Sequence, residues 1–292
     1  MEFAGTYTAL VTPFKGGELD LGAYKRLLAA QRDAAVVGVV PCGCTGEAAT
    51  LTEAERMTLL HTTLEEVGGD MQVMAGTGTN ATESTIRITR EAQAAGVHAA
   101  MLITPYYNKP SQAGLLDHYR RVADATTLPL VLYNVPGRTG VTLAPDTIAR
   151  LYETGRYAAV KEAGGSIDAV SDIRESSDIP VLSGDDSLTV AMLALGARGV
   201  VSVVSNLLPQ AVRDMVAAAL DGDFSRACKW HFRLLPVMRA AFVESNPSPI
   251  KTMLASREFM SEEVRAPLAV VGREGRERIQ AALERFGASG SE

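Results

Sequence analysis

The sequence predicts an α/β protein, a (β/α)₈ TIM barrel with additional C-terminal helices. Three observations carry that expectation. Short β-branched, apolar runs recur eight times with helix-length amphipathic stretches between them, the mark of parallel strands joined by crossovers. The 292 residues suit a barrel of ~250 residues with an appendage. No Gly-x-Gly-x-x-Gly with a following acidic residue opens a first helix, so the competing open, doubly wound sheet lacks its dinucleotide fingerprint.

In chain order the expected strands are YTALVTPF (7–14), VVGVVPCG (36–43), QVMAGTG (72–78), HAAMLITPYY (98–107), PLVLYNVP (129–136), AAVKEAG (158–164), PVLSGDD (180–186) and GVVSVVSN (199–206). Amphipathic segments such as LGAYKRLLAAQRD, LTEAERMTLLHTTLEEVG, TESTIRITREAQAAG and QAGLLDHYRRVADATT separate them, with polar N-caps and a glycine near several C-termini. After the eighth strand, Ala-rich segments at 210–221, 223–243 and 265–286, broken by SNPSP (245–249), read as helices beneath or beside the barrel or as an oligomer surface. Residues 1–222 are thus assigned to the catalytic barrel and 223–292 to a C-terminal helical region.

Composition narrows the function classes. With 47% hydrophobic and 21% charged residues the chain can bury a large core. A net charge of -6 and the lack of a basic run argue against nucleic acid as a partner. An anionic substrate would need a few local cations. The N-terminus, Met1-Glu2-Phe3-Ala4-Gly5, has no basic n-region, and no apolar run reaches the ~18 to 20 residues of a membrane span, so a cytoplasmic protein with no membrane partner is expected.

Three cysteines, Cys42, Cys44 and Cys228, cannot form a fully paired disulfide set. Cys42 and Cys44 in one strand would point to the same face, but His61, His98, His118 and His231 stand alone in sequence, so no metal site is expected.

In such barrels the active site forms at the C-terminal ends of the strands. Strand two ends CGCTGE, strand four TPYYNKP, strand five YNVPGRTG, strand seven SGDD and strand eight SVVSN. In strand six, AAVKEAGG, Lys161 interrupts an apolar run. Burial lowers a lysine's pKa and raises the fraction of neutral amine able to attack a carbonyl, which makes Lys161 the candidate Schiff-base nucleophile. The alternative is a strand-end lysine paired with Glu162 or reaching solvent. Tyr133, at the end of the adjacent strand, could exchange protons with an adduct on Lys161, or be a rim tyrosine. Arg138, between Gly137 and Gly140, offers a planar fork for a carboxylate, or is an exposed loop arginine.

GCTGE, TPYYNKPSQ, YNVPGRTG, VKEAGG and SGDD, in that order, resemble the pyruvate-dependent class I aldolase superfamily that includes N-acetylneuraminate lyase. The arginine in YNVPGRTG makes the chain most similar to the dihydrodipicolinate synthase family. The resemblance implies condensation of pyruvate with L-aspartate 4-semialdehyde to 4-hydroxy-tetrahydrodipicolinate, the first committed step toward diaminopimelate and lysine. No cofactor is implied, because the protonated imine is the electron sink. By the same likeness Lys161 forms the imine, and Thr45 with the N–H groups of residues 44 and 45 receives the pyruvate carboxylate. Arg138 holds the semialdehyde carboxylate, Tyr133 shuttles protons, and Val201, Gly184 and Asn246 line the pocket. Tyr107, donated by a neighbouring subunit, completes the relay, which implies a homodimer or a homotetramer built as a dimer of dimers. Another pyruvate-dependent aldolase, or a poorly catalytic pyruvate-binding protein, is the alternative.

One position departs from the pattern. The family reads Gly-Thr-Thr-Gly-Glu where this chain has Gly43-Cys44-Thr45-Gly46-Glu47, so Cys44 occupies the place of the relay threonine. A thiol is a weaker donor and acceptor than a hydroxyl and its sulfur is larger, so a slower enzyme is expected. Lysine-inhibited relatives carry histidines and a glutamate near the tight dimer interface. This chain offers Ala48, Ala49, Glu53, Arg56 and Ser84 there, keeping Asn80 and Tyr106, so Asn80, Tyr106, Ala49 and Glu53 are the possible allosteric residues and weak or absent lysine inhibition is expected.

Overall fold

A computed structural model describes residues 2–288. Eight parallel strands close into a barrel: β1 (Gly5–Ala9), β2 (Gly38–Val40), β3 (Gln72–Gly76), β4 (Ala99–Ile103), β5 (Leu130–Asn134), β6 (Tyr157–Glu162), β7 (Val181–Ser183) and β8 (Gly199–Ser202). Strand β1 closes the ring by pairing with both β8 and β2. All eight expected strands are present, yet each ends earlier than its apolar run. In β8 the reason is local: Asp186 accepts the N–H groups of Val203 (2.9 Å) and Val204 (3.3 Å), drawing the chain out of the ladder into a 3₁₀ turn, Val204–Asn206. A small antiparallel hairpin, Phe14–Lys15 with Glu18–Leu19, follows β1.

The crossover helices are α1 (Leu21–Asp33), α2 (Glu53–Val67), α3 (Thr82–Ala95), α4 (Gln112–Asp124), α5 (Pro145–Tyr152), α6 (Asp168–Ser176), α7 (Thr189–Ala194) and α8 (Pro209–Leu220). Helix α2 starts with a reciprocal capping box: Thr52 accepts the Glu55 N–H and Glu55 accepts the Thr52 N–H. Gly68 and Gly96 end α2 and α3 in left-handed backbone, at φ 57° and 94°.

Strand alternation divides the interior in two. Outward residues such as Leu130, Leu132 and Val160 pack against the helices, and inward residues such as Tyr7, Met74, Val131, Ala159 and Val201 fill the barrel. Lys161 lies two residues beyond Ala159, so the strand period aims it inward at the C-terminal end of β6.

The C-terminal region corrects the expectation in two ways. Helices α9 (Phe224–Ala240), α10 (Ser248–Ser256) and α11 (Arg273–Ala288) follow α8. Helix α10 was hidden because its first turn contains the Ser-Pro read as a break, although proline at the first turn of a helix leaves no needed N–H unsatisfied. The third expected segment starts only at Arg273, since residues 265–272 cross the barrel mouth instead, with the Arg265 N–H donating to Glu47 Oε2 at 2.9 Å. The region therefore does not lie only beneath or beside the barrel: Asn246, Pro267 and Leu268 line the cavity at its catalytic end. Among the described residues no helix is long and apolar enough to cross a membrane.

Candidate active site

The turn after β2 is shaped by backbone in unusual conformations. Cys42 and Glu47 both adopt left-handed φ, 56° and 54°. This breaks the alternation of the strand, so the two cysteines do not share a face. Cys42 packs in the outer core and Cys44 packs against the inner one. The expectation of a common face fails because β2 has already ended at Val40.

Glu47 holds that turn down. Its Oε1 accepts from Lys251 Nζ at 2.6 Å, both side chains being fully buried, and its Oε2 accepts the Arg265 N–H. Arg265 in turn pairs with Glu55, and both Lys251 (4.5 Å) and Arg265 (4.2 Å) lie over the Phe14 ring. Helix α10 is thus tied to the end of β2. The sequence reading missed this group, although Lys251 in the apolar SPIKTMLAS shows the same signal as Lys161.

Above the turn, a cavity of about 370 Å³ is lined by Cys44, Tyr133, Arg138 and Asn246, among others. Thr45 is buried, and its hydroxyl accepts from Asn246 Nδ2 at 3.0 Å. The Asn246 carbonyl accepts from Arg138 Nη2 at 3.3 Å, which ties together three candidates from distant stretches of sequence. Asn246 Oδ1 is buried without a partner, and among the described residues the N–H groups of Cys44 and Thr45 have no acceptor. Unused donors on a fixed turn suit a carboxylate.

Lys161 pairs in register with Tyr133, and its Nζ stands 4.2 Å from the centre of the Tyr133 ring. It is 5% exposed. Burial lowers its pKa from 10.5 to about 8, opposed by Cys44, Asp185 and Asp186 and reinforced by Arg138. Glu162 does not neutralise it: that carboxylate accepts from Asn134 Nδ2 at 2.8 Å and from the Gly164 N–H at 2.6 Å. Of the two readings of Lys161, the structure therefore selects the buried amine. At pH 7 about a tenth of such a group is neutral, against about one in three thousand for an ordinary lysine.

Burial raises the Tyr133 phenol well above its usual range; Cys44 adds to the rise and Arg138 opposes it. The phenol is therefore protonated at neutral pH, able to donate to a developing charge. Gly184 completes the cradle, since a Cβ there would lie 2.6 Å from Ala163 Cβ and 3.0 Å from Lys161 Cε. Val201 is fully buried in the barrel interior.

Other candidates fall elsewhere. Tyr107 is 89% exposed on left-handed backbone (φ 75°) and does not line the cavity, whereas its neighbour Tyr106 does. Ala49 is on the cavity rim, Asn80 accepts from Asn108 Nδ2 through its carbonyl at 2.8 Å, and Glu53 is paired with Arg87 at 2.6 Å. Arg56 is buried in the cavity wall.

Residues 2–286 match the dihydrodipicolinate synthetase family. The chain belongs to that family. It is 48% identical over 284 residues to the 4-hydroxy-tetrahydrodipicolinate synthase of Thermomicrobium roseum, covering 96% of this chain and 93% of the relative. It is 46% identical over 288 residues to that of Methanothrix thermoacetophila, covering 97% of each. Its fold superposes on the solved 4-hydroxy-tetrahydrodipicolinate synthase of Methylacidiphilum fumariolicum SolV with a TM-score of 0.97 at 42% identity, over 98% of this chain and 97% of that one. As a family member the chain has the class I aldolase chemistry to which a buried strand lysine is suited.

A pH dependence follows from Lys161. Imine formation with pyruvate should rise as pH passes through about 8, where the ammonium loses its proton, and level off above. Initial rates of borohydride-trapped adduct from pH 6 to 10 measure it, and a flat profile contradicts it. Between about 8 and 10.5 an unfolded lysine binds more proton than the folded one, so this group makes stability increase with pH across that window.

Proposed function

We propose that this chain condenses pyruvate with L-aspartate 4-semialdehyde to 4-hydroxy-tetrahydrodipicolinate, entering the route to diaminopimelate and lysine. The observation that carries the reading is the buried, partly neutral amine of Lys161 over the ring of Tyr133, which itself lines a cavity together with Arg138. Lys161 adds to the pyruvate carbonyl and water leaves, giving a protonated imine. Loss of a methyl proton gives the enamine, whose carbon attacks the aldehyde. The amine of the adduct then displaces Lys161, closing the ring and freeing the enzyme.

In this reading the pyruvate carboxylate sits on Thr45 and the N–H groups of Cys44 and Thr45. Arg138 takes the carboxylate of the semialdehyde, and its hydrogen bond to the Asn246 carbonyl aims the guanidinium. Tyr133 donates and recovers protons at the imine carbon. The reaction needs no cofactor, and small soluble substrates suit a cytoplasmic enzyme. Borohydride reduction with pyruvate, followed by mass mapping, should place the adduct on Lys161. A coupled assay should show turnover with aspartate semialdehyde, whereas turnover only with sugar-acid aldehydes would point to a different aldolase.

The reading includes a homodimer or a dimer of dimers. The exposure of Tyr107 on left-handed backbone, beside the cavity-lining Tyr106, supports that reading, because it leaves the phenol available to a second copy. With Cys44 between Tyr133 and such a partner, Cys44→Thr should raise turnover, on the order of tenfold, with little change in the KM for pyruvate. Unchanged or lower turnover in that variant would refute the weakened relay. Lysine inhibition should be weak or absent, because Glu53 is already bound to Arg87 and Arg56 would repel an ammonium in the cavity. Strong inhibition by micromolar lysine would show otherwise.

A further inference from the structure

Cys44 puts a nucleophile beside donors that suit a carboxylate. Its side chain is half-buried, packs against the inner core and lines the cavity with Tyr133 and Arg138. The thiol meets the Tyr133 phenol in a hydrogen bond, and Lys161 Nζ stands 4.2 Å from the centre of the same ring. Only the thiolate is a strong nucleophile, so the thiol proton needs an acceptor. The Lys161 amine, partly neutral with its pKa at about 8, is one within electrostatic reach of Cys44.

The donors around the thiol are unused. Among the described residues the N–H groups of Cys44 and Thr45 have no acceptor. Asn246 is 5% exposed, and its Oδ1 is buried without a partner. A half-turn of that amide would let the Thr45 hydroxyl donate to Oδ1 and free Nδ2 for an incoming anion. Arg138 adds a cation from the loop after β5. An anion held by these groups lies against Cys44, because one of the donors is its own N–H. The other cysteines differ: Cys42 is 3% exposed in the outer core, its thiol pushed up to about 11 by burial, and Cys228 is exposed on α9.

We infer that Cys44 is a covalent capture site for small electrophilic carboxylates, α,β-unsaturated acids above all. The carboxylate docks on the turn and Arg138, the sulfur bonds to the β-carbon, and the π pair of the alkene moves to the α-carbon. The thiol proton, passed through the Lys161 amine, completes that carbon, so nothing leaves and no further reactant is needed. The resulting thioether closes the pocket to pyruvate. The inference rests on the carboxylate position proposed at Thr45 and not on the aldol steps.

Iodoacetate and iodoacetamide both alkylate thiols with loss of iodide and differ in the carboxylate. Their rates on the folded protein at neutral pH are read at each cysteine by peptide mass mapping. The ratio of the iodoacetate rate to the iodoacetamide rate should be higher at Cys44 than at Cys228 by about tenfold or more. Propionate should slow the iodoacetate reaction saturably at Cys44 and leave Cys228 unaffected, and propionamide should do neither. Acrylate should add to Cys44 ahead of Cys228. Equal ratios at the two thiols, a Cys44 rate indifferent to propionate, or acrylate adding no faster at Cys44 than at Cys228 overturns the inference. Borohydride trapping with pyruvate on the untreated protein reports separately on the aldol reading. An imine without directed alkylation refutes this inference alone, and directed alkylation without an imine refutes the aldol reading alone.

Discussion

Lys161→Met should abolish the borohydride-trapped pyruvate adduct and lower turnover by about a thousandfold or more, equivalent to about 4 kcal/mol in the barrier. Methionine keeps much of the length of the side chain and its packing against Tyr133 while removing the amine. The variant separates chemistry from folding, because the native lysine is a cost to stability. Holding its pKa near 8 instead of 10.5 costs about 3 kcal/mol at neutral pH, so the variant should melt no lower than the wild type. An inactive but equally stable protein is the expected result. A variant that still forms the trapped adduct would remove Lys161 from the reaction.

The second large effect is on stability. Lys251→Met should destabilise the fold by about 3 to 5 kcal/mol, because it leaves the Glu47 carboxylate buried without its cation. For a chain of this size that corresponds to a fall in Tm on the order of 10 °C. Activity should fall as well, since Glu47 fixes the turn that carries Thr45. Adding Glu47→Gln to Lys251→Met removes the stranded charge and should recover a good part of the stability. Thermal melts of the two variants decide the matter. A single variant as stable as the wild type would mean that the buried pair contributes nothing.

These two lysines also show how far the sequence could be read. Both are single cations inside apolar segments, VKEAGG and SPIKTMLAS. Lys161 was legible because strand period and barrel topology both aim it at the end where barrel sites form. Lys251 was not, because its partner lies 204 residues away and its helix begins with a proline that reads as a stop. The family resemblance sets Arg56 near an interface; that its guanidinium also forms part of the cavity wall is visible only in the packing of α2 beneath β2 and β3.

The sequence by itself determined the barrel, since eight apolar runs alternating with amphipathic helices leave few other ways to bury both surfaces. It also singled out Lys161, Tyr133 and Arg138, because the period of a strand and the position of a loop are local properties, whereas Thr45 came from the resemblance of GCTGE to the family. Tertiary structure alone decided where each strand ends, since hydrogen bonds such as those of Asp186 compete with the ladder. It also turned Cys42 and Cys44 to different sides of the sheet through a left-handed residue that no apolar pattern announces. Above all it brought Asn246, Lys251 and Arg265 over the mouth of the barrel. The pairing of a buried charge with its partner depends on long-range contacts, and a sequence pattern reports only neighbours along the chain.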